Sequence, residues 1–366
     1  MPLPFTPLVE TLPSSVPFIG PEALERRNGT MFRARMGANE SVFGPSPKVL
    51  AAIETAARDV WQYCDPENYD LKHSLAAHLD VKPENVMIGE GIDGLFGYAV
   101  RLFVEPGVTV ATSLGAYPTF NFHVNGYGGR LVTTPYVRDR EDPAALLDLA
   151  RRENARLIYF ANPDNPMGSH WAAEAMNDFI ANLPRGSLLM LDEAYGEFAG
   201  PGTLPPLDVS NPNVLRFRTF SKAYGMAGLR LGYAIGHADL ITAFDKIRNH
   251  FGVTRIGQAA GLAALADQDH LHDVVTKVAA AREAIAAIAR TNGLEPLPSA
   301  TNFVAIDCGR DGAYAKHILD RLVAGGIFVR MPGVAPLNRC IRVTAGTPGN
   351  LGIFAEALLQ AIAAEG

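Results

Sequence analysis

Cysteine is scarce in this chain: Cys64, Cys308 and Cys340 are the three among 366 residues. They are scattered, odd in number and form no Cys-x-x-Cys pair. That argues against a disulfide framework or a structural zinc site and fits a reducing compartment. Clustered positive charge is also missing. The densest basic stretch, residues 216–222, is interrupted by Phe217, Thr219 and Phe220. With 32 basic against 38 acidic side chains and a net charge of −6, nothing here resembles the basic footprint of a nucleic-acid binder. No unbroken apolar run is long enough to cross a bilayer. Residues 1–20 are proline-rich, and the first basic residue is Arg26. The charged-then-apolar pattern of a signal peptide is therefore absent, and a cytoplasmic protein is expected. Internal repeats and low-complexity tracts are lacking too.

What is present is an ordinary globular composition, 48% hydrophobic and 19% charged with 35 Gly and 26 Pro. At about 150 residues per domain the length predicts two domains. A helix is predicted over 47–61, with Ser46 as its cap, Pro47 in its first turn, and Val49, Leu50, Ile53, Ala57, Val60 and Trp61 on one face. Apolar runs then alternate with helical stretches. The runs lie at 86–88, 108–112, 131–134, 157–161, 188–191, 214–217 and 231–235. This alternation predicts an α/β fold with a mostly parallel sheet covered by helices on both faces. From residue 238 the pattern changes. Two long helical segments are predicted over 238–268 and 271–292, then strands at 303–306, 327–330 and 341–343, a helix over 314–324 and a closing helix over 350–364. The expected division is a large α/β domain over 45–250 and a smaller α+β domain over 251–366, on which the arm 1–44 packs.

Ligands of open α/β sheets sit at the carboxyl ends of the strands, and the residues that follow the apolar runs are rich in chemistry. Gly91, Ile92 and Asp93 follow the first; Tyr117 to Phe120, a Tyr-Pro-Thr-Phe string, follow the second. Asn162-Pro-Asp-Asn165 follows another. Asp192 and Tyr195 follow the run at 188–191; Thr219, Ser221 and Lys222 follow the one at 214–217, with Arg230 eight residues beyond Lys222. Singly, each has a plain alternative: a solvated lysine, a capping aspartate, core aromatics, a surface arginine. Together they supply what a pyridoxal-phosphate (PLP) site needs. Those needs are a lysine for the aldehyde, a carboxylate for the pyridine nitrogen, a phenol or amide for the ring hydroxyl, an aromatic face, and a helix N-terminus with hydroxyls and an arginine for the phosphate.

Three strings carry a family resemblance. SKAYGMAGLRLGY (221–233) resembles the lysine motif of the class I/II aminotransferases, PLP fold type I. NPDNPMG (162–168) resembles their Asn-Pro-x-Asn-Pro-x-Gly loop, and DEAY (192–195) their Asp-x-Ala-Tyr signature. GANESVFGPSPKVLAAI (37–53), YCDPENYDLKHSLA (63–76), ATNFV (300–304), GIFVR (326–330) and CIRVTAGTP (340–348) are similar to the histidinol-phosphate aminotransferase subgroup.

The resemblance implies a large PLP-binding domain with a smaller one, and a set of roles. Lys222 forms the imine with PLP and shuttles a proton, Asp192 pairs with the pyridinium nitrogen, and Tyr195 and Asn165 contact the ring hydroxyl. Phe120 stacks on the ring. Thr219, Ser221, Arg230, Gly91, Ile92 and Asp93 hold the phosphate, and Tyr63 reaches the phosphate of the neighbouring subunit of a homodimer. Arg342 clamps the acidic end of the substrate, Arg330 takes a second anionic group, and Asn165 also borders the substrate. An amino donor and a 2-oxo acid, such as 2-oxoglutarate, are the implied partners.

Four departures bear on the donor. Phe18 stands where the subgroup has a tyrosine that binds substrate phosphate, Met167 replaces a threonine, Gly94 an acidic residue and His123 a second tyrosine. Histidinol phosphate and an aromatic or other amino acid both stay open. A PLP decarboxylase or lyase would keep the same cofactor residues. A nicotinamide oxidoreductase would use Gly89, Gly91 and Gly94 as a G-x-G-x-x-G, but the acidic residue about 20 positions on is missing, with Ser113 and Leu114 there instead. Asp267, Asp269, His270, His272 and Asp273 read as a polar turn rather than a metal site, because the two histidines lie two apart.

Overall fold

The computed structural model describes residues 3–14 and 18–363. Two short helices open the chain, α1 (Pro7–Thr11) and α2 (Pro21–Asn28), followed by strand β1 (Ala34–Arg35). Helix α3 (Pro47–Ala56) begins as the sequence predicts: the Ser46 hydroxyl accepts from the Val49 amide at 3.2 Å, and Pro47 occupies the first turn. It ends early, tightening into a 3₁₀ turn over Ala57–Asp59. Trp61, expected on the helix's apolar face, lies beyond its end and is 80% exposed. Helix α4 (Tyr69–Leu79) follows.

Seven strands then build the main sheet: β2 (Val86–Gly89), β3 (Thr109–Ser113), β4 (Arg130–Thr134), β5 (Leu157–Ala161), β6 (Leu188–Asp192), β7 (Val214–Thr219) and β8 (Gly232–Gly236). Each of the seven predicted runs is one of them, with ends shifted by a residue or two. The order is β2-β8-β7-β6-β5-β3-β4. Only β8 opposes its neighbours; the other adjacent pairs are parallel. Strands β2, β3, β5, β6 and β8 are buried along their whole length, as strands covered on both faces must be. The helices of this region are α5 (Gly91–Phe103), α6 (Pro118–Gly126), α7 (Pro143–Arg152) and α8 (Ala173–Ala181). Because β2 opposes β8, it runs with the other five, so the carboxyl ends of six strands share one edge.

The stretch predicted as one helix over 238–268 is two, α9 (Ala238–Phe244) and α10 (Arg255–Leu265). The second helix has its own start: Thr254 caps α10 by accepting from the Gly257 amide at 3.0 Å, and Gly252 just before it lies against the Glu90 side chain. Helix α10 packs on α3 and α4. The remaining elements are α11 (Gln268–Thr291), β9 (Glu295–Pro296), β10 (Phe303–Asp307), α12 (Gly312–Ala324), β11 (Ile327–Phe328), β12 (Cys340–Thr344) and α13 (Pro348–Ala363). The predicted closing helix extends to Ala364, which lies outside the described residues. Strands β12, β10 and β9 form an antiparallel sheet, and β1 pairs in parallel with β11. The N-terminal segment thus returns to the C-terminal part of the chain.

Candidate active site

At the shared strand edge lies a cavity of about 320 Å³. Eleven of the fourteen residues singled out from the sequence line it: Ile92, Asp93, Asn165, Asp192, Tyr195, Thr219, Ser221, Lys222, Arg230, Arg330 and Arg342. Its floor is built at the ends of three strands, β7, β6 and β2. After β7, the Thr219 hydroxyl accepts from the Ser221 amide at 3.0 Å and donates to the Leu231 carbonyl at 3.2 Å, which fixes the link that carries Lys222. The Lys222 ammonium donates to the Asn39 carbonyl at 3.1 Å. Burial, followed by the nearby Arg342, pushes its pKa down to about 8.

Asp192 closes β6. Its Oδ2 accepts from the Tyr159 hydroxyl at 2.7 Å and its Oδ1 from the Ala194 amide at 2.9 Å. Burial nevertheless pushes the carboxyl up to about 6. Tyr195 lies just beyond, its hydroxyl accepting from Asn39 Nδ2 at 2.8 Å and from Asn165 Nδ2 at 3.5 Å. Burial raises its pKa as well. At the other end of the floor, the amides of Ile92 and Asp93 open α5. Gly91 does not line the cavity but shapes it. Its φ is +77°, and a Cβ there would stand 2.5 Å from Arg230 Nη2, so glycine is what lets the guanidinium rest on the helix start. Arg230 Nη1 also donates to Ser221 Oγ at 3.4 Å.

Two positions differ from expectation. Phe120 is fully buried and does not face the cavity. It sits on the inner side of α6, stacked on Tyr159 with centroids 4.4 Å apart. From the same string it is Tyr117, the residue capping that helix, that lines the cavity. Its hydroxyl is pushed up to about 12 by burial and then by Asp93. Tyr63 is 79% exposed on a loop, 4.7 Å from the Phe251 ring, and lines no part of this chain's cavity.

The upper wall comes from distant segments. Arg330 and Arg342 face each other across an isolated β-bridge. Arg342 donates from Nη1 to Asn165 Oδ1 at 2.5 Å and from Nη2 to the Gly37 carbonyl at 3.3 Å, over the Phe303 ring. Arg330 donates to the Ile19 carbonyl at 2.8 Å and lies between the Phe18 and Phe328 rings. Burial pushes its pKa down to about 10. Of the four departures, Phe18 lines the cavity, 6.0 Å from Tyr117. Met167 does not; it is buried with Tyr136, Ala305, Leu337 and Cys340. His123 stands 3.4 Å from the Asp93 carboxylate.

Asn39 is the connecting residue the sequence reading passed over. Beyond its bonds to Lys222 and Tyr195, its carbonyl accepts from Asn302 at 3.0 Å and its Oδ1 from the Thr344 hydroxyl at 3.1 Å. A signal existed: its φ is +56°, and asparagine is among the few non-glycine residues that adopt the left-handed region readily. Asp267 and Asp273, from the polar cluster, pair with Lys48 at 3.0 Å and Lys277 at 2.5 Å.

The floor fits PLP on its own chemistry. A buried lysine whose amine is easily freed suits an aldehyde. The buried Asp192 carboxylate, held by two neutral donors, has no cation in hydrogen-bonding contact among the described residues, and a pyridinium would supply one. A helix start with a serine hydroxyl and an arginine suits a phosphate dianion.

Residues 34–358 match the model of the family described as aminotransferase class I and II. A histidinol-phosphate aminotransferase of Anaeromyxobacter sp. is 36% identical over 345 residues, covering 93% of this chain and 94% of that protein. One from Moorella thermoacetica is 30% identical, covering 93% and 89%. The crystal structure of histidinol-phosphate aminotransferase from Sinorhizobium meliloti in complex with pyridoxal-5'-phosphate has a TM-score of 0.97. It is 58% identical, and the match covers 99% of this chain and 98% of that one.

Proposed function

The chain belongs to the class I and II aminotransferase family, and from that membership we propose that this PLP-dependent enzyme takes the amino group of histidinol phosphate and passes it to a 2-oxo acid such as 2-oxoglutarate, as a cytoplasmic step of histidine biosynthesis. That it is a PLP-dependent aminotransferase of fold type I, acting on an amino donor and an oxo-acid acceptor, follows from the family match and the relatives. The decarboxylase and oxidoreductase readings are not favoured by either. In the fold, the would-be dinucleotide glycines follow β2, an edge strand with an antiparallel partner, not the first unit of a parallel sheet.

The observation that carries the donor assignment is the pairing of Arg330 and Arg342 on one wall of the cavity that holds Lys222. Two fixed guanidinium groups suit a phosphate on the donor and two carboxylates on the acceptor. The names of the relatives point the same way. A second reading, an aromatic amino acid as donor, is favoured by the Phe18 and Tyr117 rings at the mouth. The test mixes the yellow holoenzyme separately with histidinol phosphate, phenylalanine and tyrosine and follows loss of the cofactor's absorbance band. Histidinol phosphate should bleach it with the highest kcat/KM; higher efficiency with either amino acid would replace the first reading with the second.

Bound PLP supplies the aldehyde that accepts the amino group and a ring that withdraws electrons from the substrate α-carbon. The residues then divide the work. Lys222 would hold the cofactor, and its Nζ, when free, would carry the proton removed from the α-carbon. Asp192 keeps a proton on the ring nitrogen. Tyr195 and Asn165 orient the ring hydroxyl, and Tyr117 takes the ring-facing place first given to Phe120. Ser221, Thr219, Arg230 and the helix start at Gly91, Ile92 and Asp93 bind the phosphate. Arg342 grips the acidic end of the substrate and Arg330 the second anion. We further propose the division into a large and a small domain, with α10 on the large side by its packing. A homodimer in which the exposed Tyr63 reaches the neighbour's phosphate completes the proposal; sedimentation at the mass of one chain would refute it.

A further inference from the structure

Arg342 is held in place from two directions, and one short segment anchors both. On one side its guanidinium meets Asn165 at 2.5 Å. Asn165 sits in a loop organised by the residue before it. The buried Asp164 accepts from the Met167 amide at 3.1 Å, its own amide donates to the Ser169 carbonyl at 2.8 Å, and its second carboxylate oxygen accepts from the Tyr136 hydroxyl at 2.8 Å. On the other side, β12 brings Arg342 to the cavity. The residue just before that strand, Arg339, grips the Asp139 carboxylate with both terminal nitrogens, at 2.9 and 2.8 Å, while its Nε donates to Asp307 on the adjacent β10 at 2.7 Å.

Asp139 lies in a tight turn that Tyr136 immediately precedes. Its ends, Val137 and Arg140, bond to each other at 2.9 and 3.2 Å. Its two central residues, Arg138 and Asp139, have φ of +52° and +61°. Non-glycine residues enter that region at a cost and stay there only where contacts over-determine them. Here the contacts are the bidentate grip of Arg339 on Asp139 and the seating of the Arg140 guanidinium 4.0 Å over the Trp171 ring. Tyr136 and Cys340, one from each side, also share an apolar cluster with Met167 and Leu337. Neither Tyr136 nor Asp139 lines the cavity.

We infer that Tyr136 and Asp139 are positioning residues for the substrate arginine: the 136–140 segment sets where the Arg342 guanidinium stands by holding its hydrogen-bond partner and its strand at the same time. This rests on the reading that Arg342 grips the substrate's acid group, and the test separates the two.

Succinate serves as a dicarboxylate probe on the holoenzyme, with affinity read from cofactor absorbance, for wild type, Asp139→Ala, Tyr136→Phe, Arg342→Ala and the double variant of Asp139 and Arg342. Displacing the guanidinium should weaken succinate about tenfold in Asp139→Ala and less in Tyr136→Phe. Both should raise KM with kcat kept within about threefold and the cofactor retained. The double variant should bind succinate no more weakly than Arg342→Ala alone, because the Asp139 effect travels through Arg342. Wild-type affinity in Asp139→Ala, or a loss that adds in full to that of Arg342→Ala, would overturn the inference. So would a fall confined to kcat. Undiminished succinate binding in Arg342→Ala would strike at the role of Arg342 itself, and the inference with it. If Asp139→Ala does not fold, Asp139→Asn, which keeps the shape and drops the charge, carries the same expectations.

Discussion

The floor and the mouth of the cavity are built in opposite ways. The floor draws Asp192, Tyr195, Thr219, Ser221, Lys222 and Arg230 from the stretch 192–230, at the ends of buried strands, and adds Ile92 and Asp93 from the start of α5. Its polar atoms have protein partners: Asp192 has two donors, Lys222 a carbonyl, Thr219 both a donor and an acceptor. The mouth draws Phe18, Asn39, Asn165, Arg330 and Arg342 from five separate segments. There the Nε atoms of both arginines are buried without a partner among the described residues, a condition that costs roughly 1–3 kcal/mol each. An aminotransferase keeps one cofactor through both halves of its cycle but admits two different substrates. A satisfied floor suits the permanent guest, and donors left open at the mouth suit exchangeable ones.

The largest blow to this contrast falls on the floor at Lys222. Borohydride reduction of the purified protein should place a pyridoxyl mass on Lys222; a tag on another lysine would remove the residue from its role. Lys222→Ala should lose about 10²–10⁴-fold in turnover from proton transfer alone. The wild-type lysine also has a pH signature. A pKa held down to about 8 means the neutral amine predominates above that pH, so capture of PLP by cofactor-free protein should rise with pH and level off with a midpoint near 8. A midpoint near the ordinary lysine value of about 10.4 would show that burial does not govern the amine.

Asp192→Asn comes next. The amide keeps one acceptor oxygen, so it can hold only one of the bonds from Tyr159 and Ala194, and it no longer favours a proton on the ring nitrogen. The cofactor should remain, with kcat down about 10²–10³-fold, the scale found for removing one preorganised electrostatic partner. Near-normal turnover would place the ring's protonation elsewhere.

The same contrast explains what the sequence disclosed. Residues that follow a buried strand inherit their position from it, so Asp192 after β6 and Lys222 after β7 could be read from short strings. The seven runs were legible for the same reason, since strands covered on both faces are continuously apolar. Phe120 lies away from the cavity where it was expected to line it, because the string Tyr117 to Phe120 does not tell which ring a helix start turns inward. Packing on Tyr159 decides that. Asn39 was missed because its partners, Thr344 and Asn302, are some 300 and 260 positions away in the chain; such contacts are set by tertiary packing. The predicted helix over 238–268 is two helices, the second restarted by the Thr254 cap, a capping residue that the apolar periodicity alone does not weigh.

The smallest effect is expected at the mouth, at Phe18. Its ring lies 4.9 Å from the Arg330 guanidinium, an interaction worth about 0.5–1 kcal/mol at a site open to water. Phe18→Leu should therefore raise KM only about twofold to fivefold, and do so for every substrate whose anion reaches Arg330. Phe18→Tyr keeps the ring and adds a hydroxyl. If histidinol phosphate is the donor, that hydroxyl can reach its phosphate, and KM for this donor should fall while KM for phenylalanine stays put. Equal shifts for both would mean that Phe18 acts only through Arg330 and does not discriminate between donors. The two variants divide the mouth into a part that holds the arginine and a part that selects the amine, whereas no substitution on the floor could separate one substrate from another.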